Sequence, residues 1–161
     1  MTAPSPLDLA LYQPDIAQNV GTSLRACACL GVPAHIIHPC GFAFSSKALR
    51  RSGLDYLEHV ALTEHDEWSA FAGWARAGGR RTVLLTAWGT VSHVDFAFAP
   101  GDILLLGRES AGVPASVHEA VDARLRIPLR PGMRSLNVAV AGAMVLGEAL
   151  RQTSGFPSLE E

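Results

Sequence analysis

Apolar residues recur along this chain in two alternating rhythms. Short runs of four to six residues have the length of strands: Leu7 to Tyr12, His35 to His38, Glu58 to Leu62, Arg81 to Thr86, Asp102 to Leu106 and Arg124 to Ile127. Helical stretches separate them. One is predicted over Asn19 to Leu30, entered through the turn Gln13-Pro14-Asp15, capped by Asn19 and stopped by Gly31. Others are predicted over Ser45 to Ser52, with Ser45 or Ser46 as cap, over Glu64 to Ala77, ended by Gly78-Gly79, over Ala115 to Ala120 after Pro114, and over Asn137 to Gln152. Strands apolar through their length and separated by helices predict an α/β fold, a mostly parallel sheet with helices on both faces. No linker or repeat divides residues 1–161, so one domain is expected, with loose ends over residues 1–6 and 153–161.

Composition narrows the setting. Of the 161 residues 48 % are hydrophobic and 17 % charged, yet no stretch approaches the ~18 apolar residues of a membrane span. Met1 to Pro6 lack the basic and apolar regions of a signal peptide, so a soluble, cytoplasmic protein with no membrane partner is expected. Three cysteines cannot pair off completely, and Cys27 and Cys29 sit two apart on a predicted helix, pointing to nearly opposite sides. Buried thiols rather than a metal site with Cys40 and His38 are therefore expected. The net charge of −2 does not advertise a nucleic-acid partner. Locally, however, Arg124, Arg126, Arg130 and Arg134 face a single acid, Asp122, while Glu58, Glu64, Asp66 and Glu67 cluster elsewhere. That stretch can meet phosphate, or be a solvated face in a chain with twelve arginines and one lysine.

No G-x-G-x-x-G follows the opening strand, and there is no P-loop, G-x-S-x-G or H-E-x-x-H. The usual nucleotide and hydrolase signatures are thus missing. What remains are three polar clusters, each near the end of a predicted strand, where parallel α/β proteins bind ligands. The first, Asn19-Val-Gly-Thr-Ser-Leu-Arg25, opens a helix with a cap and places an arginine about one and a half turns in. Without other motifs, ordinary capping by Asn19 and a surface Arg25 explain it better than a phosphate site does. The second, Leu106-Gly-Arg-Glu-Ser-Ala-Gly-Val-Pro114, is a glycine-spaced loop whose carboxylate, Glu109, stands at the end of a buried strand. The third, Ile127-Pro-Leu-Arg-Pro-Gly-Met-Arg-Ser-Leu-Asn137, is an extended loop in which Ser135 or Asn137 caps the following helix.

These clusters resemble, in order and spacing, the three motifs of the SpoU branch of the SPOUT methyltransferases, and the resemblance runs from about Leu7 to Pro157. The first strand, His35-Ile-Ile-His-Pro-Cys-Gly-Phe-Ala43 and Lys47-Ala-Leu-Arg-Arg-Ser-Gly-Leu-Asp-Tyr56 are similar to the subgroup that methylates the 2′-hydroxyl of cytidine or uridine 34 in tRNA. The resemblance implies a C-terminal trefoil knot, S-adenosylmethionine as cofactor, and the wobble nucleotide of leucine tRNAs as substrate. It implies cofactor contacts at Leu85, Gly107, Ile127 and Ser135, largely through backbone groups, and functional polar roles for Asn19, Arg25, Glu109, Ser135 and Asn137. No metal is implied.

A homodimer is expected through the first and last helices, where Ala139, Gly142, Ala143 and Gly147 permit close approach, although packing inside one subunit would use the same residues. One position departs from the subgroup, which usually carries tyrosine where Gly147 precedes Glu148. That departure leaves room for two other readings: methylation of another RNA site, and a non-catalytic RNA-binding module on the same scaffold.

Overall fold

The computed structural model describes residues 5–45, 47, 49 and 55–160. Seven strands form its sheet: β1 (Asp8–Tyr12), β2 (Ala34–Ile37), β3 (Leu62–His65), β4 (Thr82–Leu85), β5 (Val91–Ser92), β6 (Ile103–Leu106) and β7 (Ala123–Arg126). Among the described residues the α-helices are α1 (Ala17–Leu30), α2 (Trp68–Ala77), α3 (Ala115–Ala120) and α4 (Val138–Thr153). Every pairing is parallel, in the order β3-β2-β1-β6-β4-β7-β5.

β1, β2 and β6 are buried at every residue, as central strands covered on both faces must be. Strand alternation sorts their side chains into two cores. Leu9, Leu11, Ile36, Leu104 and Leu106 join Val20 and Leu24 of α1 and Leu146 of α4 on one face. Ala10, Tyr12, Ile37, Ile103 and Leu105 join Phe71 of α2 and Val117 of α3 on the other. Burying each leucine or isoleucine is worth about 1.5–3 kcal/mol, so β6 and its neighbours hold the fold together. α4 lies so close to β6 that a Cβ on Gly142 would come within 2.6 Å of Leu106 Cδ1.

Several boundaries differ from the sequence expectation. Glu58 to Leu62 is not a strand: Asp55–His59 is a 3-10 turn and β3 begins at Leu62. β3 is an edge strand with Thr63 and Glu64 exposed, so it has no apolar run to recognise. Because Glu64 and His65 belong to β3, the following helix starts only at Trp68. β5, two residues long, escaped the pattern altogether. α1 starts at Ala17 with Ile16 in the cap position, so Asn19 is inside the helix and does not cap it. The helix expected over Ser45 to Ser52 falls largely outside the described residues.

Beneath α2 lies a buried polar cluster. The Asp8 carboxylate meets His35 Nε2 at 2.7 Å and the Arg80 guanidinium at 2.9 and 3.0 Å. The other ring nitrogen of His35 is 2.9 Å from His65 Nε2, and the Trp74 ring tilts over both imidazoles. Burial pushes the Asp8 carboxyl up, but the hydrogen bonds from His35 and Arg80 outweigh it and hold the group below its ordinary range. Burial, reinforced by His35, lowers the pKa of His65.

A histidine whose folded pKa is lowered binds fewer protons folded than unfolded. Its contribution is therefore fully present above the unfolded value of about 6.5 and is lost as pH falls below it, through the lower folded value. We expect the melting temperature to drop between pH about 7.5 and about 5.5, and His65→Gln to remove much of that drop. Differential scanning calorimetry across the interval checks this, and an equal drop in H65Q would assign the pH dependence elsewhere.

Candidate active site

Parallel strands place all their C-terminal ends along one edge of the sheet, so the loops after β4, β6 and β7 emerge together. They enclose a cavity of about 870 Å3. Leu85, Gly107, Ile127 and Ser135 all line it, and so do Asn19, Glu109 and Asn137. Seven of the eight positions singled out in the sequence therefore meet at one place, the eighth being Arg25.

Local chain chemistry shapes each wall. After β6, Arg108 and Gly112 exchange two backbone hydrogen bonds of 3.0 Å, closing a small loop over residues 109–111. The closure needs glycine twice: Gly112 has φ +60°, and a Cβ on Gly107 would lie 2.9 Å from the Gly112 backbone. After β4, the turn is fixed by the Trp88 amide donating to Thr86 Oγ1 at 3.2 Å and the Gly89 amide donating to Thr86 O at 3.1 Å. Gly89 is pressed onto β7, where a Cβ would stand 2.4 Å from the Leu125 carbonyl carbon. After β7, residues 128–137 are exposed but not extended throughout as the sequence suggested: Pro131 and Gly132, the latter at φ +86°, make a turn closed by the Met133 amide donating to Arg130 O at 3.1 Å.

A chain of hydrogen bonds crosses the floor. Asn137 caps α4, its Oδ1 accepting from the amides of Ala139 at 2.9 Å and Val140 at 3.2 Å. Its Nδ2 donates to Asn19 Oδ1 at 3.0 Å, and Asn19 Nδ2 donates to Glu109 Oε1 at 3.4 Å. The other Glu109 oxygen accepts from the Asp15 amide at 3.0 Å, while the Glu109 amide donates to Asp15 Oδ1 at 3.2 Å. Ser110 Oγ donates to the second Asp15 oxygen.

Burial and the adjoining Asp15 carboxyl raise the pKa of Glu109. Asp15, hydrogen-bonded to Glu109 and Ser110, is held low. Glu109 is thus the member of the pair that keeps a proton to higher pH.

Arg25 stands apart. It is six residues beyond Asn19, about 9 Å along the helix axis, and lies on the surface with its guanidinium 4.5 Å above the Tyr56 ring and 3.2 Å from the Tyr56 hydroxyl. It does not line the cavity. The arginine-rich stretch divides as well. Arg126, Arg130 and Arg134 line the cavity, whereas Arg124 donates to the carbonyls of His118, Glu119 and Val121 at the end of α3.

Sequence reasoning missed Asp15, read only as part of a turn, and the cavity-lining Thr86 and Trp88, which follow an apolar strand without any glycine fingerprint. Gly41 held a clue to Asp15. A Cβ there would come within 2.6 Å of the Asp15 Cβ, so residues 13–15 are clamped from outside as well as from Glu109. Among the described residues no group of three or more His, Cys, Asp or Glu side chains is arranged to hold a metal, and no helix is long and apolar enough to cross a membrane.

Known proteins resemble the chain in sequence and in fold. The profile of the SpoU rRNA Methylase family matches residues 6–147. A protein of Ancylobacter novellus named tRNA (cytidine(34)-2′-O)-methyltransferase is 61 % identical over 150 residues, 93 % of this chain and 95 % of its own length. A solved structure described as giving insights into the 2-OH methylation of C/U34 on tRNA superposes with a TM-score of 0.86 at 44 % identity, covering 95 % of this chain and 99 % of that one. An AdoMet-bound rRNA methyltransferase from Sinorhizobium meliloti superposes at 0.76 with 26 % identity, covering 90 % of this chain and 56 % of that one.

The cap on α4 can be tested without any ligand. Asn137→Ala removes two bonds to helix amides and the link to Asn19, and is expected to cost about 0.5–2 kcal/mol. Urea unfolding of the two proteins measures the difference, and equal midpoints would mean that the hydrogen-bond chain does not hold the helix end.

Proposed function

The chain belongs to the SpoU rRNA methylase family, and from that membership we propose that it methylates the ribose 2′-hydroxyl of nucleotide 34, cytidine or uridine, in leucine tRNAs. The reaction takes place in the cytoplasm and uses S-adenosylmethionine. The observation that carries this reading is the convergence of Asn19, Glu109 and Asn137 on one cavity with Leu85, Gly107, Ile127 and Ser135.

The cavity suits the cofactor chemically. Apolar side chains of Leu85, Leu106 and Ile127 offer a place for adenine, and Arg126, Arg130 and Arg134 offer charge for a carboxylate. Strand-end backbone groups at Leu85, Gly107 and Ile127, with Ser135, would hold it. Bound there, the cofactor supplies a methyl group already activated on sulfonium sulfur. The protein then has to align a ribose hydroxyl with that methyl and let its proton leave. Asn19 and Asn137 fix the floor against which the ribose lies, and Glu109 orients Asn19. Arg25, always charged and a poor base, anchors the phosphate next to the methylated ribose from its place on α1.

We also read the C-terminal segment as threaded into a trefoil knot. The chain runs from β4 out to β5 and returns through Phe96 and Phe98, on the α1 face, to β6. Between β4 and β5 lies β7, entered from α3 on the opposite face and left through Ile127 toward α4 on the α1 face. Gln152 of α4 then bonds the backbone of Phe96 and Phe98 at 2.9 Å, which holds the returning segment against the last helix. Threaded chains are rare, so the family supplies the prior and this path the support.

A homodimer completes the reading. Ala139 is buried and Gly142 is used inside the subunit against Leu106, so these two serve packing within the subunit and not another chain. Val140, Ala143, Met144 and Gly147, spaced for one helical face, stay open, with Val140 49 % and Met144 45 % exposed and nothing within 4 Å of a Cβ on Gly147. We expect sedimentation to give a dimer at micromolar concentration and Val140→Glu to shift it to monomer; a wild-type monomer would overturn this arrangement.

Activity is tested with labelled S-adenosylmethionine and tRNA from a strain lacking the gene, the methylated nucleotide being located by mass mapping. Arg25→Ala should abolish transfer while S-adenosylhomocysteine still binds by calorimetry with nearly unchanged affinity. Arg25→Lys keeps the charge but loses the planar fork, so only simple attraction to RNA should survive in it. Transfer at the wild-type rate in R25A would remove Arg25 from the site, and absence of any label at nucleotide 34 with the wild type would remove the substrate assignment.

A further inference from the structure

Beside the large cavity lies a smaller one of about 290 Å3, walled by Trp88, Val113, Ala115, His118 and Glu119. Trp88, Val113 and His118 belong to both cavities, so the two spaces adjoin. Trp88 is 81 % exposed, twice the 39 % of Trp74. Burial of an indole is strongly favourable, so one held open at the mouth of a site is informative in a way that a solitary exposed leucine is not.

The loop cannot easily fold this indole away. The Trp88 amide is tied to Thr86 Oγ1, Gly89 is bonded to Thr86 and pressed onto the backbone of Leu125, and the Thr86 amide donates to Leu125 O at 2.9 Å. The turn is therefore anchored to β7 on both sides of the tryptophan. Small apolar residues, Val113 and Ala115, contribute to the wall, while an imidazole and a carboxylate contribute polar groups. A planar ring with polar edges matches that lining better than a flexible aliphatic ligand does. Arg126, Arg130 and Arg134 line the adjoining cavity, more cations than one cofactor carboxylate needs, so charge remains there for an RNA phosphate.

We propose that the slot between Trp88 and α3 binds a nucleobase of the substrate RNA, stacked on the indole, while the ribose to be methylated occupies the larger cavity. The inference rests on the RNA-methylating role given above and adds to it the site that receives a base. Stacking on an aromatic side chain is tolerant of sequence because every base has a π-face, which suits a site that accepts cytidine and uridine alike. It also requires an unstacked base, the state available in single-stranded loops rather than in helices.

The test compares wild type, Trp88→Ala and Trp88→Phe as full-length proteins, using an anticodon stem-loop RNA unmodified at nucleotide 34. Trp88→Ala should weaken binding of the stem-loop, and raise KM for tRNA, by roughly 5- to 150-fold, the range expected for loss of one base stack. Trp88→Phe should recover most of that loss, because a smaller ring still stacks. S-adenosylhomocysteine affinity should stay within about twofold in both variants. Stem-loop RNA should quench tryptophan fluorescence of the wild type and do so much less in the variants, since Trp68 and Trp74 lie away from the cavity.

Loss of S-adenosylhomocysteine binding in Trp88→Ala with RNA binding intact would overturn the proposal and give the slot to the cofactor's adenine. Unchanged RNA affinity in Trp88→Ala would overturn it as well. Failure of the wild type to methylate any tRNA would count against methyl transfer at nucleotide 34 alone, because RNA affinity and quenching decide the slot without turnover.

Discussion

The site depends on a hydrogen-bond polarity that begins at the end of α4. The free amides at the start of that helix need an acceptor, so Asn137 must turn its oxygen toward Ala139 and Val140 and its amide nitrogen outward. That nitrogen can only donate, which obliges Asn19 to present its own oxygen and leaves its nitrogen for Glu109, an acceptor. Each step dictates the next. Aspartate at position 19 would set a carboxylate against a carboxylate, and an apolar residue there would break the connection outright. One backbone requirement at one helix end thereby fixes three side chains that arrive from α1, from the loop after β6 and from the loop after β7.

Glu109 closes that chain on a backbone amide and not on a cation. Its two oxygens are taken by Asn19 and the Asp15 amide, while the Asp15 carboxyl nearby disfavours its charge. A glutamate paired with arginine would stay ionised and pull the arginine into the cavity. Here Arg126, Arg130 and Arg134 remain available to an anionic ligand, and Glu109 works as an orienting group for the floor.

Much of the fold was legible because the central strands obey the simplest rule, apolar through their length between glycine and proline punctuation. β1, β4 and β6, α3 and α4 appear within a residue or two of where the pattern puts them. The errors lie where tertiary contacts replace hydrophobicity as the cause of structure. β3 is a polar edge strand held in place partly by His65 against His35, and β5 exists only because the chain passes β7. In the site, the glycine spacing around Glu109 was readable as a ligand loop, but its dependence on Asp15, 94 positions away, was not. Asn19 looked like a cap and is something else: a cap bonds locally, whereas its partners are 90 and 118 positions distant. No local pattern encodes that.

Charge shows the same division between what composition reports and what folding decides. A net charge of −2 hides two populations of arginine. Arg80 is taken up by Asp8, Arg81 by Asp102, Arg124 by carbonyls at the end of α3, and Arg151 by Glu148. Those four neutralise acids or helix ends and add little field outside the protein. Arg126, Arg130 and Arg134 line one cavity together with Arg108, whose guanidinium donates to Gly112 O, and among the described residues Glu109 is the one acid in that lining. The potential that a phosphate meets is therefore set by the cations gathered at the site and not by the sum over the surface. A chain can be acidic overall and still receive an anionic strand, provided its cations converge where the strand enters.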